Sequence, residues 1–520
     1  MSQMLKSSGA MAAATMTSRL LGMVREMVYA RFMADGWEAG AFQLAFMVPN
    51  LFRRLLGEGA LTASFIPIFK EKEKTTSEAE MWRAANAVIS ALIIASSVII
   101  GLGILVVSLM LKRGHLSPQT DLMLHLLRWM FPYVLLVCLT AIFMGILNAR
   151  GHFFIPAIGA AVLNVVMIAS VFFLAPHMGE KLHQQIYALA IGVLAAGIAQ
   201  AAFQLPSLHA EGFRYIWVSP WRDETVRRVI RQMVPATIGV AAFQINVLMT
   251  QGMAFWVDPS IVASFQYAVR LMELPQGVFG VSLATYLLPT LSGLAAEKKY
   301  PEFKSTLNQG LDHLIFINLL AGIFLFFLAE PMIRLLFEHG KFGPESTGRV
   351  SLALVCLAPG LVAFSMNNIM ARAFYALGDI RSPMKISIFC LALNLIFAVV
   401  LIKSFKQAGL GLANTLSAGC NVFLLFYALR RKLGALELNS LRQILGATLG
   451  AAAVAALATW GLSRIWEEHI GHVGVLRRIG AVFVPMTVAS ILYWGVALWF
   501  KVPPAMEMGG MIFKKLLRRK

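Results

Sequence analysis

The sequence predicts an all-α polytopic membrane protein with about fourteen transmembrane helices. Of its 520 residues, 58% are hydrophobic and only 14% are charged, whereas a soluble domain is nearer half apolar and a quarter charged. Apolar runs of about 20 residues, the length that a helix needs to cross the hydrocarbon core, recur from end to end. A transmembrane β-barrel would instead show short segments of alternating polarity.

The apolar runs set the expected position of each helix, within a few residues at either end. The first run is predicted to be a spanning helix rather than a signal peptide, because it continues past Arg19 and Arg25 without a clean cleavage site. No soluble domain is expected between the spans. The predicted spans are 8–32, 40–69, 84–111, 121–148, 154–175, 186–207, 228–256, 261–292, 306–329, 347–376, 384–403, 408–430, 442–463 and 479–500.

The net charge of +19 is carried mainly at the ends of the predicted helices. Basic residues are more frequent in the even-numbered connections, which predicts that both termini are cytoplasmic. Contact with anionic membrane lipids explains this charge, and no nucleic-acid partner is expected. The exceptions to the charge bias are Lys112, Arg113, Arg477 and Arg478.

The four cysteines are scattered through apolar segments and have no spacing typical of a disulfide or a metal site. They are Cys138, Cys356, Cys390 and Cys420. We interpret them as packing residues, and the sequence predicts no metal centre.

A faint internal repeat divides the chain. LNARGHFFIPAIGAAVLN at 147–164 and ALGDIRSPMKISIFCLALN at 376–394 each place a glycine five residues before a proline, between two apolar runs. Repeated halves around a central site are typical of transporters. We therefore predict a six-helix half at 1–208, a second at 209–432, and helices 13 and 14 with a basic tail at 433–520.

Two arginines within the first predicted helix are candidates for binding an anion. A charge at the bilayer centre costs at least about 2.5–3.5 kcal/mol, so such residues usually face a cavity or a partner. Arg25 and Tyr29 share one face of the helix, and Arg19 lies at its edge. Two guanidinium groups can hold a phosphate bidentately. The alternative is a structural ion pair with Glu26 or Glu58.

The second predicted helix carries Arg53 and Arg54 after Pro49, which frees a backbone carbonyl and kinks a helix. Gly57 and Gly59 loosen it further. A broken, charged helix is more consistent with lining a cavity than with facing lipid. Adjacent side chains point about 100° apart, so we expect Arg53 to reach the cavity and Arg54 to pair with an acid or extend to the interface.

The eighth predicted helix contains Arg270 and Glu273, which are three residues apart and can pair directly. Pro275 then disrupts the helix. One interpretation is a self-neutralised pair at a kink. The other is a cavity arginine that faces those of the first two helices.

Asp379 lies at the second glycine joint and has two interpretations. Its carboxylate either coordinates a coupling cation or pairs with Arg381.

We find no motif of a nucleotide-binding loop, a metalloprotease or a serine hydrolase, so the sequence predicts no enzyme activity. It also lacks the ATP-binding parts of a pump, which leaves a monovalent ion gradient, the membrane potential or a partner as the driving force.

Four segments resemble the MurJ (MviN) family of lipid II flippases, within the multidrug/oligosaccharidyl-lipid/polysaccharide exporter superfamily. They are SRLLGMVRE at 18–26, AFMVPNLFRRLLGEGALTASFIPIF at 45–69, YAVRLMELPQGVFGVSLATYLLPTLS at 267–292 and ARAFYALGDIRSPMK at 371–385. The resemblance implies outward movement of a lipid-linked peptidoglycan precursor across the bacterial inner membrane by alternating access. It also implies a lipid-tail groove at helices 13 and 14, and it places the cavity arginines at Arg19, Arg25, Arg53 and Arg270.

The chain departs from the family pattern at Gly40. The family commonly has an aspartate shortly before the Ala-Phe that opens the second helix, and here Glu38 or Asp35 would have to supply the acid.

Three alternatives remain at this point. They are a flippase for another polyprenyl-linked oligosaccharide, a drug or cation antiporter of the same superfamily, and a scaffold that associates with cell-wall synthesis proteins without transporting. A cavity rich in arginine argues against cationic drugs as substrates.

Overall fold

The computed structural model describes residues 2–55, 61–434 and 438–517, and within these ranges the chain is helical and contains no strand. The predicted all-α fold class is therefore confirmed. The helices are α1 Ser2–Met33, α2 Trp37–Phe52, α3 Leu61–Thr75, α4 Glu78–Lys112, α5 Pro118–Met130, α6 Tyr133–Ala149, α7 Phe154–Ala169, α8 Leu182–Gln185, α9 Tyr187–Ala210, α10 Glu224–Val257, α11 Pro259–Pro275, α12 Ser282–Ala296, α13 Tyr300–Phe327, α14 Ala329–Phe337, α15 Pro344–Leu357, α16 Gly360–Ala376, α17 Arg381–Leu433, α18 Leu438–His469, α19 Val475–Trp499 and α20 Pro503–Leu517.

Within the described ranges, nine helices are long and apolar enough to cross a membrane, or eleven when two bent pairs each count as one span. These pairs are α5 with α6, bent by 44°, and α15 with α16, bent by 46°. The same criteria do not select α1, which carries arginines, or the interrupted α2–α3 region. The total of about fourteen spans therefore stays a prediction.

The chain folds as two compact units. The first comprises Met1–Ala263 with His339–Phe342, and the second comprises Ser264–Glu338 with Gly343–Lys520. The division predicted from the repeat, at 208 and 432, stays a prediction.

The first unit is held together by helices that are apolar on most of their surface. Helix α1 packs along α7, α9 packs against both α6 and α7, and α2 packs against α5. Leu126, Val134, Ile142, Ile146 and Leu189 are completely buried in this unit. Such helices bury their backbone polar groups internally, as a membrane requires.

In the second unit, the last long helices pack closely on α13. Their contact surfaces are rich in alanine, including Ala451 and Ala455 on α18 and Ala489 on α19. Small side chains let helices approach closely within a membrane. The buried Tyr493 hydroxyl donates a hydrogen bond of 2.8 Å to the Phe316 carbonyl, which fixes α19 against α13.

The two glycine joints of the predicted repeat have the same backbone conformation. Gly151 has φ +89° and Gly378 has φ +73°, and each follows the end of a helix. In both joints the next residue's N–H donates to the carbonyl five residues before it, at 2.8 Å and 2.9 Å. Pro156 and Pro383 are each the third residue of the following helix. Glycine is favoured here because a side chain is strained at positive φ.

The predicted spans 384–403 and 408–430 form one long element, α17, with a break inside it. Lys406 has φ 48° and ψ −124°, which is not helical. The break separates the two predicted helices where the sequence placed their boundary.

Candidate functional site

Arg25 lies in the last third of α1, and its side chain is only 13% exposed. It forms an ion pair with Glu26 and lies over the ring of Tyr29, with 5.4 Å between the guanidinium carbon and the ring centroid. Its Nε atom is buried and has no hydrogen-bond partner among the described residues. The ion pair therefore leaves one N–H of this arginine without a hydrogen bond, which marks it as a donor that a ligand could use.

A series of aromatic rings connects Arg25 of α1 with α2. Tyr29 meets Phe42 of α2 edge to face at 5.9 Å, and Phe42 stacks on Phe46 at 6.0 Å. Such contacts favour defined ring positions. The start of α2 thus helps to position an arginine of α1.

Arg19 is exposed on α1. The neighbouring backbone is tied to α7, because Asn164 Nδ2 donates to the Ser18 carbonyl oxygen at 3.2 Å. Gly22 lies against the same amide, since a Cβ atom at this position would be 3.7 Å from Asn164 Nδ2. Helix α1 is therefore held at the level of both candidate arginines.

Arg53 begins a short π-helical turn, residues 53–55, that follows Pro49 in α2. Its Nε donates to Asn50 Oδ1 at 2.8 Å, which orients the guanidinium group. This role of Asn50 was not predicted from the sequence, although a spacing of three residues within a helix is the signal for such a contact. Arg54 is half-buried, and Glu58 lies outside the described residues, as do Gly57 and Gly59.

Arg270 and Glu273 of α11 form the ion pair that their spacing allows, at 2.8 Å. Their side chains are 38% and 46% exposed, so neither charge is deeply buried. A π-helical segment, Gln276–Val281, follows Pro275. Both broken helices with candidate arginines therefore have a π turn after a proline, and π turns often occur at functional positions.

Gly40 lies against the backbone of Pro259 within the first unit. A Cβ atom at residue 40 would lie 2.0 Å from the Pro259 carbonyl oxygen, a distance that no side chain tolerates. An aspartate therefore does not fit at this position without movement of the corner between α10 and α11. Of the two substitutes that the sequence suggested, Asp35 is fully buried and Glu38 is half-buried.

Asp379 is paired at the joint before α17. Lys432 Nζ donates to its Oδ2 at 2.7 Å, and the Ser382 N–H donates to Oδ1 at 3.0 Å. These hydrogen bonds, the one from Lys432 first, hold the pKa of Asp379 well below its usual range. The recorded ion-pair partner is thus Lys432 in place of Arg381. No cluster of three metal-ligating side chains occurs in the part of the chain that the structure describes.

A stability measurement can distinguish the two roles considered for Asp379, a structural ion pair and a cation ligand. We expect Asp379→Asn to lower the free energy of unfolding by about 0.2–1 kcal/mol, because the partly exposed ion pair is lost while an oxygen remains for Ser382. The depressed pKa means that the pair stabilises the fold at neutral pH and stops doing so only as acid protonates the carboxylate. Thermal unfolding in detergent, with and without sodium, measures the effect.

Lys432→Gln is the matched control, since it breaks the same pair from the other side. Equal losses of stability for both variants, independent of sodium, support a structural pair. If only Asp379→Asn removes a sodium-dependent stabilisation, the carboxylate is instead a cation ligand.

The comparison with known families is decisive for identity. A model of the family described as lipid II flippase MurJ matches residues 29–479. The chain belongs to the lipid II flippase MurJ family. Arg53, Arg270 and Asp379 lie within the matched range, while Arg19 and Arg25 precede it.

Individual members of the MurJ family match over nearly the whole chain. The lipid II flippase MurJ of Burkholderia cenocepacia is 33% identical over 500 residues, covering 93% of this chain and 95% of the relative. The probable lipid II flippase MurJ of Bdellovibrio bacteriovorus is 32% identical over 509 residues, covering 95% and 94%. The predicted family resemblance is confirmed.

Solved structures confirm the fold. The inward closed conformation of lipid II flippase MurJ matches with a TM-score of 0.74 at 21% identity, covering 94% of this chain and 99% of that structure. An inward-facing multidrug resistance MATE transporter of the MOP superfamily matches with a TM-score of 0.65 at 17% identity, covering 82% and 98%. The chain therefore has the helical transporter fold that the MurJ family shares with these exporters.

Proposed function

We propose that this protein moves lipid II, the undecaprenyl-pyrophosphate-linked peptidoglycan precursor, from the inner to the outer leaflet of the cytoplasmic membrane. The observation that carries the proposal is the family relationship, which extends over 93% of the chain to a relative named as a lipid II flippase. The described arginines supply chemistry suited to an anionic headgroup. An acid-lined cavity would be expected of an exporter of cationic drugs.

The headgroup is proposed to bind the four arginines Arg19, Arg25, Arg53 and Arg270. A pyrophosphate offers several oxygen acceptors, and guanidinium groups bind such oxygens bidentately. The unpartnered Nε of Arg25 and the fixed orientation of Arg53 support this role. Their attraction offsets part of the cost of moving a charged group through a medium of low dielectric constant.

The prenyl tail is proposed to follow the surface of α18 and α19. A shallow apolar pocket of about 300 Å³ lies where α13 and α18 meet, lined by Phe327, Ala456, Leu457 and Trp460. Its lining offers only apolar contacts, as a hydrocarbon chain requires. The tail then stays in an apolar environment while the headgroup crosses.

Transport is proposed to proceed by alternating access, with bending at the π turns that follow Pro49 and Pro275. The asymmetry of basic residues supports cytoplasmic termini. An ion gradient or the membrane potential is proposed to reset the cycle. Cell-wall synthesis proteins are proposed as partners that use the delivered precursor.

The test is complementation of a bacterium depleted of its own lipid II flippase, combined with an assay of precursor in the outer leaflet. We expect the wild-type protein to restore growth and outward movement of lipid II. A well-expressed protein that moves another polyprenyl-linked oligosaccharide but not lipid II would contradict the substrate. A protein that restores neither, yet binds cell-wall enzymes, would favour a scaffold.

A further inference from the structure

The segment 214–222, between α9 and α10, has no regular secondary structure but is held against α4 by hydrogen bonds. Asn86 Nδ2 donates to the Arg214 carbonyl oxygen at 2.9 Å. The Ser90 hydroxyl accepts from the Val218 N–H at 3.4 Å and lies 3.2 Å from the Tyr215 hydroxyl. The segment therefore follows a defined path along α4.

Both ends of the segment are also anchored. Phe213, which is 2% exposed, contacts the rings of Trp82 at 5.6 Å and Phe143 at 5.9 Å. At the other end, Asp223 accepts a hydrogen bond from the Val226 N–H at 3.1 Å and so caps α10. The outward-facing residues between these anchors are held in place by the fold.

The outer side of the segment is apolar, aromatic and basic. Ile216 is 65% exposed, Trp217 57% and Trp221 72%. The exposed Arg214 and Arg222 stand at its two ends. Tryptophan beside arginine is the composition of the membrane–water interface, where an amphipathic ring lies at headgroup level.

The position of the segment along α4 agrees with that interface. Helix α4 ends at Lys112, and a hydrocarbon core about 30 Å thick takes about 20 helical residues, which reaches back to Leu92. Large side chains such as Val98, 54% exposed, face outward within this stretch. Residues 84–90 are all buried within the protein. The lipid-facing part of α4 is then shorter than the predicted span 84–111, and Ser90, which holds the segment, lies just outside the hydrocarbon.

Charged groups lie nearer the N-terminal end of α4, farther from the membrane than the segment. Arg150 forms ion pairs with Glu73 at 2.8 Å and Glu211 at 3.4 Å, and its guanidinium lies 5.5 Å from the ring centroid of Trp82. Trp82 is in the second turn of α4. Along this helix the order is thus an ion-pair network, the aromatic segment, and then the lipid-facing surface.

We propose that segment 214–222 lies in the headgroup layer of the membrane and binds anionic phospholipid. Trp217 and Trp221 insert at the boundary with the acyl chains, and Arg214 and Arg222 contact lipid phosphates. This contact fixes the depth of the first unit in the bilayer. It involves bulk lipid and does not depend on which substrate the protein transports.

The test uses tryptophan fluorescence of the full chain in nanodiscs of phosphatidylcholine alone or mixed with phosphatidylglycerol. The difference in emission between wild type and Trp217→Phe/Trp221→Phe reports these two rings. We expect lipids brominated near the headgroup end of the acyl chain to quench this emission more than lipids brominated near the chain end. Brominated phosphatidylglycerol should quench about two- to fivefold more than brominated phosphatidylcholine.

Matched variants separate the contributions. Arg214→Gln/Arg222→Gln should remove the preference for phosphatidylglycerol. Arg83→Gln, which changes an exposed arginine outside the segment, on α4, should keep it. The difference in emission between wild type and Trp82→Phe reports a buried ring. This difference emission should be quenched neither by brominated phosphatidylcholine nor by brominated phosphatidylglycerol. Difference emission that is quenched by aqueous iodide and not by bromolipid would overturn the proposal and leave a protein partner as the occupant.

Discussion

Arg25→Ala is expected to reduce lipid II translocation by at least about 30-fold. The substitution removes the arginine from its proposed pair with the headgroup phosphate, and truncating one member of a buried, hydrogen-bonded charge pair costs about 2–5 kcal/mol. The lost guanidinium is the one that combines burial in α1 with an unpartnered Nε. Arg25→Lys should fail nearly as completely, because lysine keeps the charge but not the planar donor geometry. The measurement is outward movement of labelled precursor in proteoliposomes.

The controls separate transport from folding. Arg25→Ala removes the recorded ion-pair partner of Glu26, so Arg25→Ala/Glu26→Gln is included to relieve that buried charge. We expect the double variant to recover membrane level but not transport. Arg83→Ala, which changes an exposed arginine, should transport normally. Normal transport by folded Arg25→Ala would show that this arginine does not bind the headgroup.

Gly40→Ala is expected to lower the free energy of unfolding by about 1–3 kcal/mol or more, because its methyl group would overlap the Pro259 carbonyl oxygen. Gly40→Asp should be at least as damaging, since the larger side chain meets the same backbone. Denaturant titration of the purified protein in mixed micelles measures both variants.

Gly101→Ala is the matched control within a membrane helix. Nothing lies within 4 Å of its Cβ position, so a methyl group there should be neutral or should stabilise α4 by up to about 1 kcal/mol. If Gly40→Ala is as stable as Gly101→Ala, the corner between α10 and α11 moves easily and the contact does not constrain the fold.

Much of the fold was predictable because the membrane imposes it. Apolar length predicts where helices lie, and the described helices cover most of each predicted span, with short non-helical breaks such as 131–132 and 358–359 inside a span. Charge in an apolar segment makes Arg25 a candidate whose role stays a prediction, and the spacing of Arg270 and Glu273 allowed the ion pair that the structure contains. These inferences need only local sequence, since residues three or four apart on a helix meet whatever the tertiary fold.

What the sequence did not predict depends on contacts between distant residues. Lys432 is 53 positions from Asp379, so periodicity gave no reason to prefer it over the nearby Arg381. The approach of Gly40 to Pro259 likewise follows from the packing of α2 near the corner between α10 and α11. Local spacing did allow the contact between Asn50 and Arg53, but it could not distinguish an orienting amide from an unrelated polar residue.

The matching joints at Gly151 and Gly378 also bear on how the predicted internal repeat can be recognised. Their positive φ values exclude most other residues, and the prolines that follow need no backbone donor in the first turn of a helix. The membrane helices on either side need only remain apolar, so their residues can diverge freely. A repeat of the predicted kind is therefore easiest to recognise at the joints between helices, where the backbone restricts the choice of amino acid, and hardest to recognise within the apolar spans.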